Sequence, residues 1–422
     1  MIYSVEEAGE KIIRAGLELM EKGLITRTWG NISARLSDTT FLVTPSGRSY
    51  DSLTPSDLVT VNIKDCSYEG TITPSSESGI HADTYKLRSD VDFIIHTHQP
   101  YASAIGVIGT DITDYENLKT DENSVVGQGL SYTDILGELI PCAAYGMSSS
   151  KYLRDKVRKC LKKNRTAKAI LLRNHGVIAV GSDYEDAFRI AIALEEMCRN
   201  RYELICANVL EHCDTTVDIR LGVACREEGR LRCTRDEEEA VFATGSLNDA
   251  GRKEVPRSMK QPAMLYDEIF RDPDVNAAMH VLTPFTCMYG NIGKRRMKCY
   301  FDDQAQILGV DVRFLPLKMS FGRLKGKKKI AKYMSDRNAI FTSTGGAVVT
   351  GKTMEDAEAA AFVLEKASMA AVLDSQLGIL KPVKKKIALK EREAYISSYS
   401  HLREYNVAIG DDAAMEDDTI TQ

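Results

Sequence analysis

The chain has 422 residues, 43% of them apolar and 27% charged, and a formal charge of -5; that length predicts two domains, each able to bury a core. No uncharged apolar run approaches the roughly 18 residues of a membrane span, and the opening Met1-Ile2-Tyr3-Ser4-Val5-Glu6-Glu7 is acidic where a secretory signal is basic, so a cytoplasmic location without a membrane partner is expected. Asp411, Asp412, Glu416, Asp417 and Asp418 alone sum to -5, which leaves the body near neutrality and gives no global case for a nucleic-acid partner.

In chain order, residues 5–20 read as an amphipathic helix, followed by short strands at 32–36 and 41–44. Gly30-Asn31 and Thr44-Pro45-Ser46-Gly47 fall at turns beside them, and Pro74-Ser75-Ser76-Glu77 runs into a helix from Ile80 that carries His81 and Tyr85. The apolar run 91–95 reads as a buried strand ending in His96-Thr97-His98. Side chains at i and i+2 of a strand share a face, so these two imidazoles converge on one point. A helix is expected at 151–163, strands at 169–172 and 177–180 around Arg173-Asn174-His175-Gly176, and a long helix from 184 to about 209. Residues 211–239 are highly charged and read as a linker leading into the front of a second copy, with strands expected at 219–223 and 240–243. A helix is expected beyond Leu380 as far as Tyr405, and the acidic end from Gly410 is too poor in apolar residues to pack. The basic clusters, 151–163 and Arg323, Lys325, Lys327, Lys328, Lys329 and Lys332, read as solvated helix faces. The ten cysteines include no Cys-x-x-Cys pair and read as reduced, mostly structural thiols.

Matches recur at fixed offsets. At 184 residues, Asp90-Val91 meets Asp274-Val275, His96 meets His280, Pro100 meets Pro284 and Gly106 meets Gly290. At 170, Ala169-Ile170 meets Ala339-Ile340, Gly176 meets Gly346, Gly181 meets Gly351 and Leu194-Glu195 meets Leu364-Glu365. The chain therefore reads as a duplication, of fold class α/β, with tandem three-layer α/β/α sandwiches. Its domains are expected at 1–212, 213–380 and 381–422, the last a helix and a mobile acidic tail. No counterpart is found for the segment before about Glu77. The second copy keeps the scaffold and loses the chemistry: Ser75 becomes Met259, Ser76 Lys260, Glu77 Gln261, His81 Leu265, His98 Leu282 and His175 Gly345. His280 survives alone, and without partners it is expected to be packed or hydrogen-bonded.

Three histidines, His96, His98 and His175, with the Glu77 carboxylate suit a catalytic divalent-metal site that keeps coordination open for substrate. A carboxylate there can ligate the ion or shuttle protons, and either role fits carbanion chemistry beside a carbonyl. The hydroxyls and flexible turns at Gly30-Asn31, Ser46-Gly47 and Ser75-Ser76 suit a phosphate, whose oxygens need several convergent donors.

Residues 1 to about 210 resemble the class II aldolase/adducin family through Trp29-Gly30-Asn31-Ile32-Ser33-Ala34-Arg35, Thr44-Pro45-Ser46-Gly47, Pro74-Ser75-Ser76-Glu77, His81 with Tyr85, His96-Thr97-His98 and Asn174-His175-Gly176. The resemblance implies that His96, His98 and His175 bind zinc, with manganese or cobalt as alternatives. It makes Glu77 an acid/base and occasional ligand, and assigns the phosphate of a small sugar to Gly30, Asn31, Ser46, Gly47, Ser75 and Ser76. The implied reaction is cleavage of a ketose 1-phosphate to dihydroxyacetone phosphate and an aldehyde through a metal-stabilised enediolate. Glu77, where the 4-epimerase branch typically has Asp, tilts the choice towards that reaction. Epimerase, dehydratase and decarboxylase relatives share the site, and adducin-like members, which the second copy resembles, are non-catalytic scaffolds. A homo-oligomer is implied, with a pseudo-tetramer built from two double-unit chains as one form.

Overall fold

The computed structural model describes residues 3–26, 28–115, 118, 124, 130–211, 220–227, 230–235, 238–243, 260–292, 296–315, 329–342 and 345–399. They fall into two compact units, Met1–Ile205 with Glu393–Gln422, and Cys206–Arg392. Mixed α/β organisation and tandem sheets are as expected.

The first unit opens with α1 (Val5–Glu21), which Ser4 caps by accepting the Glu7 amide and which buries Ala8, Ile12, Ala15 and Leu19. Then follow β1 (Asn31–Arg35), β2 (Thr40–Val43), β3 (Val59–Asn62), α2 (Ser78–Leu87), β4 (Phe93–Thr97), α3 (Pro100–Gly106), α4 (Tyr132–Leu136), β5 (Cys142–Ala143), α5 (Lys151–Lys163), β6 (Ala169–Leu172), β7 (Gly176–Gly181) and α6 (Tyr184–Leu210). The seven strands form one sheet in the order β3-β2-β1-β4-β7-β6-β5, antiparallel except for the β5–β6 pair. Ile80 and Tyr85 of α2 and Leu153, Val157 and Leu161 of α5 pack with Phe41, Val43, Ile94, Ile170 and Ile178 on one face. The other face takes α1 and α3, with Phe93 held edge-on between Tyr3 and Tyr184. β4 therefore lies in the middle of three layers, and whatever its C-terminal end carries is buried.

The second unit comprises β8 (Arg220–Glu227), β9 (Arg230–Arg235), β10 (Glu238–Ala243), α7 (Lys260–Ile269), β11 (Ala277–Val281), α8 (Pro284–Asn291), β12 (Arg296–Lys298), α9 (Asp302–Ile307), β13 (Asp311–Phe314), β14 (Ala339–Phe341) and β15 (Ala347–Gly351), with further helices Lys329–Met334, Met354–Leu377 and Lys385–Ala394. Its sheet order, β10-β9-β8-β11-β15-β14-β13-β12, repeats that of the first unit and adds one edge strand. The register repeats as well: His96 faces Ile178 across β4–β7, and His280 faces Val348 across β11–β15. One expectation is corrected here. The segment before Glu77 does have a counterpart, because β8, β9 and β10 occupy the places of β1, β2 and β3. Sequence identity had faded there while the strand pairing persisted. β3 and β9, which the sequence did not single out, complete the two meanders.

Residues 400–405, the acidic segment from Gly410, Met259 and the basic positions 323–328 lie outside the described residues. Among the described residues, the cysteines are free thiols and no helix is long and apolar enough to cross a membrane.

Candidate metal centre and active site

Two turns bring three imidazoles together. β4 carries His96, whose Cα partners are Asn31 on β1 and Ile178 on β7, and His98 follows two residues later. His175 stands in the turn between β6 and β7, where Asn174 takes a left-handed φ of 59°, a conformation Asn tolerates better than most residues. The next residue, Gly176, is pressed against the end of β4. A Cβ there would stand 2.4 Å from Thr97 O, 2.8 Å from His98 Cδ2 and 3.2 Å from His96 Cε1. Ring centroids are 5.1 Å apart for His96–His98, 5.2 Å for His96–His175 and 4.7 Å for His98–His175. One ligand nitrogen from each lies within 4.8 Å of the other two, and all three residues are buried.

Glu77, immediately before α2, points into this cluster: Oε2 is 3.1 Å from His96 Nε2 and Oε1 3.2 Å from His175 Nε2. Longer contacts come from Ser149 N to Oε1 at 3.3 Å and Asn31 Nδ2 to Oε2 at 3.4 Å. Burial alone would raise the Glu77 carboxyl, but the imidazoles of His175 and His96 outweigh it and hold the group well below the usual carboxylate range. His96 Nδ1 lies 2.7 Å from Val177 O, which can only accept, so Nδ1 carries the proton. Its Nε2 is buried, without an aligned hydrogen bond, and 3.1 Å from a carboxylate oxygen. A positive charge at that nitrogen, a proton or a metal ion, satisfies the contact, and a second nitrogen held by a backbone carbonyl is the usual support of a metal-binding histidine. The donor set fits a divalent ion.

The candidate phosphate residues fall into two places. An isolated bridge between Pro45 and Pro74 sets the 44–47 turn beside the 73–76 turn, reinforced by Ser46 N to Thr73 O at 2.9 Å and Ser75 N to Thr44 O at 3.0 Å. Ser46, Gly47, Ser75 and Ser76 are thus neighbours, and Ser75 Oγ also accepts the Glu77 amide at 3.3 Å. Gly30 instead backs the metal cluster: with φ 100°, its added Cβ would lie 2.5 Å from His96 O. Asn31 beside it reaches Glu77. Ser149 escaped the sequence reading, since a serine in a polar loop carries no signal; it takes φ 54° and its hydroxyl meets that of Ser76 at 2.8 Å.

Comparison with known proteins identifies the family. The family model for the class II aldolase and adducin N-terminal domain matches residues 10–202 and again 240–372. The chain belongs to this family. Within the class II aldolase/adducin family it is 29% identical over 200 residues to 5-deoxy-D-ribulose 1-phosphate aldolase of Bacillus thuringiensis serovar kurstaki, covering 47% of the chain and 86% of that protein. It is 32% identical over 189 residues to L-fuculose phosphate aldolase of Escherichia coli K12, covering 45% of the chain and 80% of that protein. A solved structure of L-fuculose 1-phosphate aldolase superposes with a TM-score of 0.41 at 25% identity, over 49% of the chain and 89% of that structure.

The second aldolase/adducin-type unit lacks this centre. Leu282 and Gly345 stand at the positions of His98 and His175, and His280 Nε2 is 2.9 Å from Gly345 O and 3.5 Å from Thr342 Oγ1. His280 is hydrogen-bonded in place, as expected of a lone imidazole.

Proposed function

We propose that the first unit is a divalent-metal-dependent aldehyde-lyase that cleaves a ketose 1-phosphate to dihydroxyacetone phosphate and an aldehyde. The buried convergence of His96, His98 and His175 on the Glu77 carboxylate carries this reading, together with sugar-phosphate aldolase relatives that align with about half of the chain. A divalent ion held by these imidazoles supplies Lewis-acid polarisation of the substrate's carbonyl and hydroxyl oxygens. Zinc suits the donor set first, and manganese or cobalt remain alternatives. In the reaction the C3–C4 bond breaks, its electron pair stays with C3 as an enediolate, C4 becomes the aldehyde as its hydroxyl proton leaves, and a proton is returned to C3. Glu77 is the group assigned to proton transfer. Ser46, Gly47, Ser75 and Ser76, with Gly30 and Asn31, are assigned to holding the phosphate. The reading carries with it a cytoplasmic homo-oligomer, a catalytic domain at 1–212, a non-catalytic repeat at 213–380 and a C-terminal segment at 381–422.

The test is release of dihydroxyacetone phosphate from a panel that includes L-fuculose 1-phosphate and 5-deoxy-D-ribulose 1-phosphate. Chelation should abolish turnover, with zinc, manganese or cobalt restoring it. Glu77→Gln should lower kcat by about 10²–10⁴-fold while the metal stays bound; unchanged turnover would reject the role. A protein that purifies without near-stoichiometric metal and recovers nothing on metal addition would be a scaffold.

A further inference from the structure

A buried hydrogen-bond chain reaches Glu77 from inside the first unit. Tyr85 Oη lies 2.8 Å from Ser33 Oγ, Ser33 Oγ lies 2.6 Å from His81 Nδ1, and His81 Nε2 lies 2.5 Å from Asn31 Oδ1. Asn31 Nδ2 then makes its 3.4 Å contact with Glu77 Oε2. No member is more than 8% exposed. His81 is held neutral by burial and by the neighbouring His96, its pKa lowered to about 3.

The direction of every bond is fixed by chemistry. A carboxylate only accepts, so Asn31 must turn its NH2 towards Glu77 and its carbonyl towards His81. That carbonyl only accepts, so His81 carries its proton on Nε2, and its Nδ1 is a lone pair. Ser33 must therefore donate to Nδ1, and Tyr85 must donate to Ser33. All the donors point one way, towards the centre. Were the amide reversed, its oxygen would face a carboxylate oxygen, and Glu77 would be pushed from its place among the imidazoles.

The second unit separates structural from chemical need. Both units keep an arginine that closes the end of the corresponding helix. Arg35 donates to the carbonyls of Val91, Arg88 and Tyr85 at 2.9, 2.7 and 3.1 Å, and Arg226 to those of Phe270, Asp272 and Val275 at 2.7, 3.3 and 3.2 Å. Both keep a glutamate on the helix start that follows β4 or β11. Glu195 accepts the amides of Tyr101 and Ala102 at 2.8 and 2.9 Å, and Glu365 those of Phe285 and Thr286 at 2.8 Å each. The chain to Glu77 is not kept. The sheet register puts Ala224 at the place of Ser33 and Gly222 at that of Asn31. The offset that aligns β4 with β11 puts Leu265 and Ile269 at those of His81 and Tyr85, and Ala224, Ile269 and Leu265 pack in an apolar cluster. The fold stands without the chain, and the unit that lacks the metal ligands is the one that lacks it.

We propose that Tyr85, Ser33 and His81 are positioning residues that act through Asn31, Ser33 and Tyr85 holding the His81 ring so that its Nε2–H grips the Asn31 carbonyl and keeps an N–H directed at the Glu77 carboxylate. This rests on Glu77 as the proton-transfer group, and two measurements on the full-length protein separate the claims. In nitrogen-15 NMR of histidine-labelled protein, His81, assigned by its loss in His81→Gln, should be neutral at pH 7 with its proton on Nε2. Ser33→Ala should shift the Nδ1 resonance, which loses its hydrogen-bond donor, while the proton stays on Nε2. A proton on Nδ1, or a charged His81, would overturn the proposal whether or not any substrate is found. In kinetics with the two sugar phosphates named above as probes, Ser33→Ala and Tyr85→Phe should each lower kcat on the order of tenfold. KM and metal stoichiometry should stay within about twofold of the parent. An unchanged kcat, or metal content falling in step with kcat, would overturn it. A parent protein that cleaves neither probe rejects the aldolase reading for those sugars and leaves the tautomer result to decide.

Discussion

Gly176→Ala puts the packing of the histidine cluster to a direct test. The new methyl carbon would stand 2.4 Å from the Thr97 carbonyl oxygen and 2.8 Å from His98 Cδ2, both well inside van der Waals contact. The nearer obstacle is backbone in a central strand, paired to β7 from Phe93 to Thr97, so no side-chain rotation relieves it. Moving the His175 turn outward by the better part of an ångström puts the loss at the upper end for overpacking, about 3 kcal/mol. A misplacement of that size at a catalytic group costs about 10²-fold in rate. Gly346→Ala is the control. Its Cβ would meet Val281 O at 2.1 Å and Leu282 Cδ2 at 2.5 Å, a collision at least as severe in a unit without the histidine cluster. Urea unfolding followed by fluorescence of Trp29, the only tryptophan in the chain, reports on the first unit, and circular dichroism reports on both. Gly176→Ala should lower the Trp29 midpoint, metal stoichiometry and turnover together, whereas Gly346→Ala should leave metal and turnover intact. A Gly176→Ala protein with full metal content and parental turnover would refute the idea that close approach of the turn to β4 builds the site.

Two further outcomes follow from the same turn and the same buried chain. Asn174→Ala, at φ 59°, should destabilise the first unit by about 1–2 kcal/mol while Asn174→Gly comes close to the parent, as read by the Trp29 midpoint; equal losses would locate the effect in the side chain instead. His81 is depressed from 6.5 to about 3 by burial, so its contribution to stability is complete above the unfolded value of 6.5 and is lost as pH falls towards 3. Metal-free protein should therefore unfold at progressively lower urea from pH 6.5 downward, and a flat midpoint across that window would show that His81 is charged or exposed.

Much of the site was legible because its signals are local. His96-Thr97-His98 needs only the two-residue period of a strand, and Asn174-His175-Gly176 needs only a turn. The helix at 151–163 and the strand at 169–172 have the bounds the sequence gives them, since apolar spacing and flanking polar residues coincide there. What stayed hidden depends on partners distant in sequence. Ser33 reads as one more residue of a short strand until β1 is laid against β4 and α2 supplies His81 and Tyr85. Ser149 has no pattern of its own, and its link to Glu77 exists only through the turn before α5. The front of the second unit was missed for the opposite reason: strand pairing tolerates wholesale exchange of side chains, so β8–β10 kept the meander of β1–β3 after the motifs had gone.

The pattern of loss in the second unit follows from the energetics of buried polar groups. A buried donor or acceptor deprived of its partner costs about 1–3 kcal/mol, so a chain such as Tyr85-Ser33-His81-Asn31 is tolerable whole or absent and costly in between. The second unit has the absent form, with Ala224, Leu265 and Ile269 in apolar contact. Arg226 and Glu365 could not follow the same route, because their partners are backbone carbonyls and amides that no substitution removes. Polar residues that satisfy the backbone are thereby tied to the fold in both units, whereas the Tyr85-Ser33-His81-Asn31 chain is present in the first unit and replaced by apolar contact in the second.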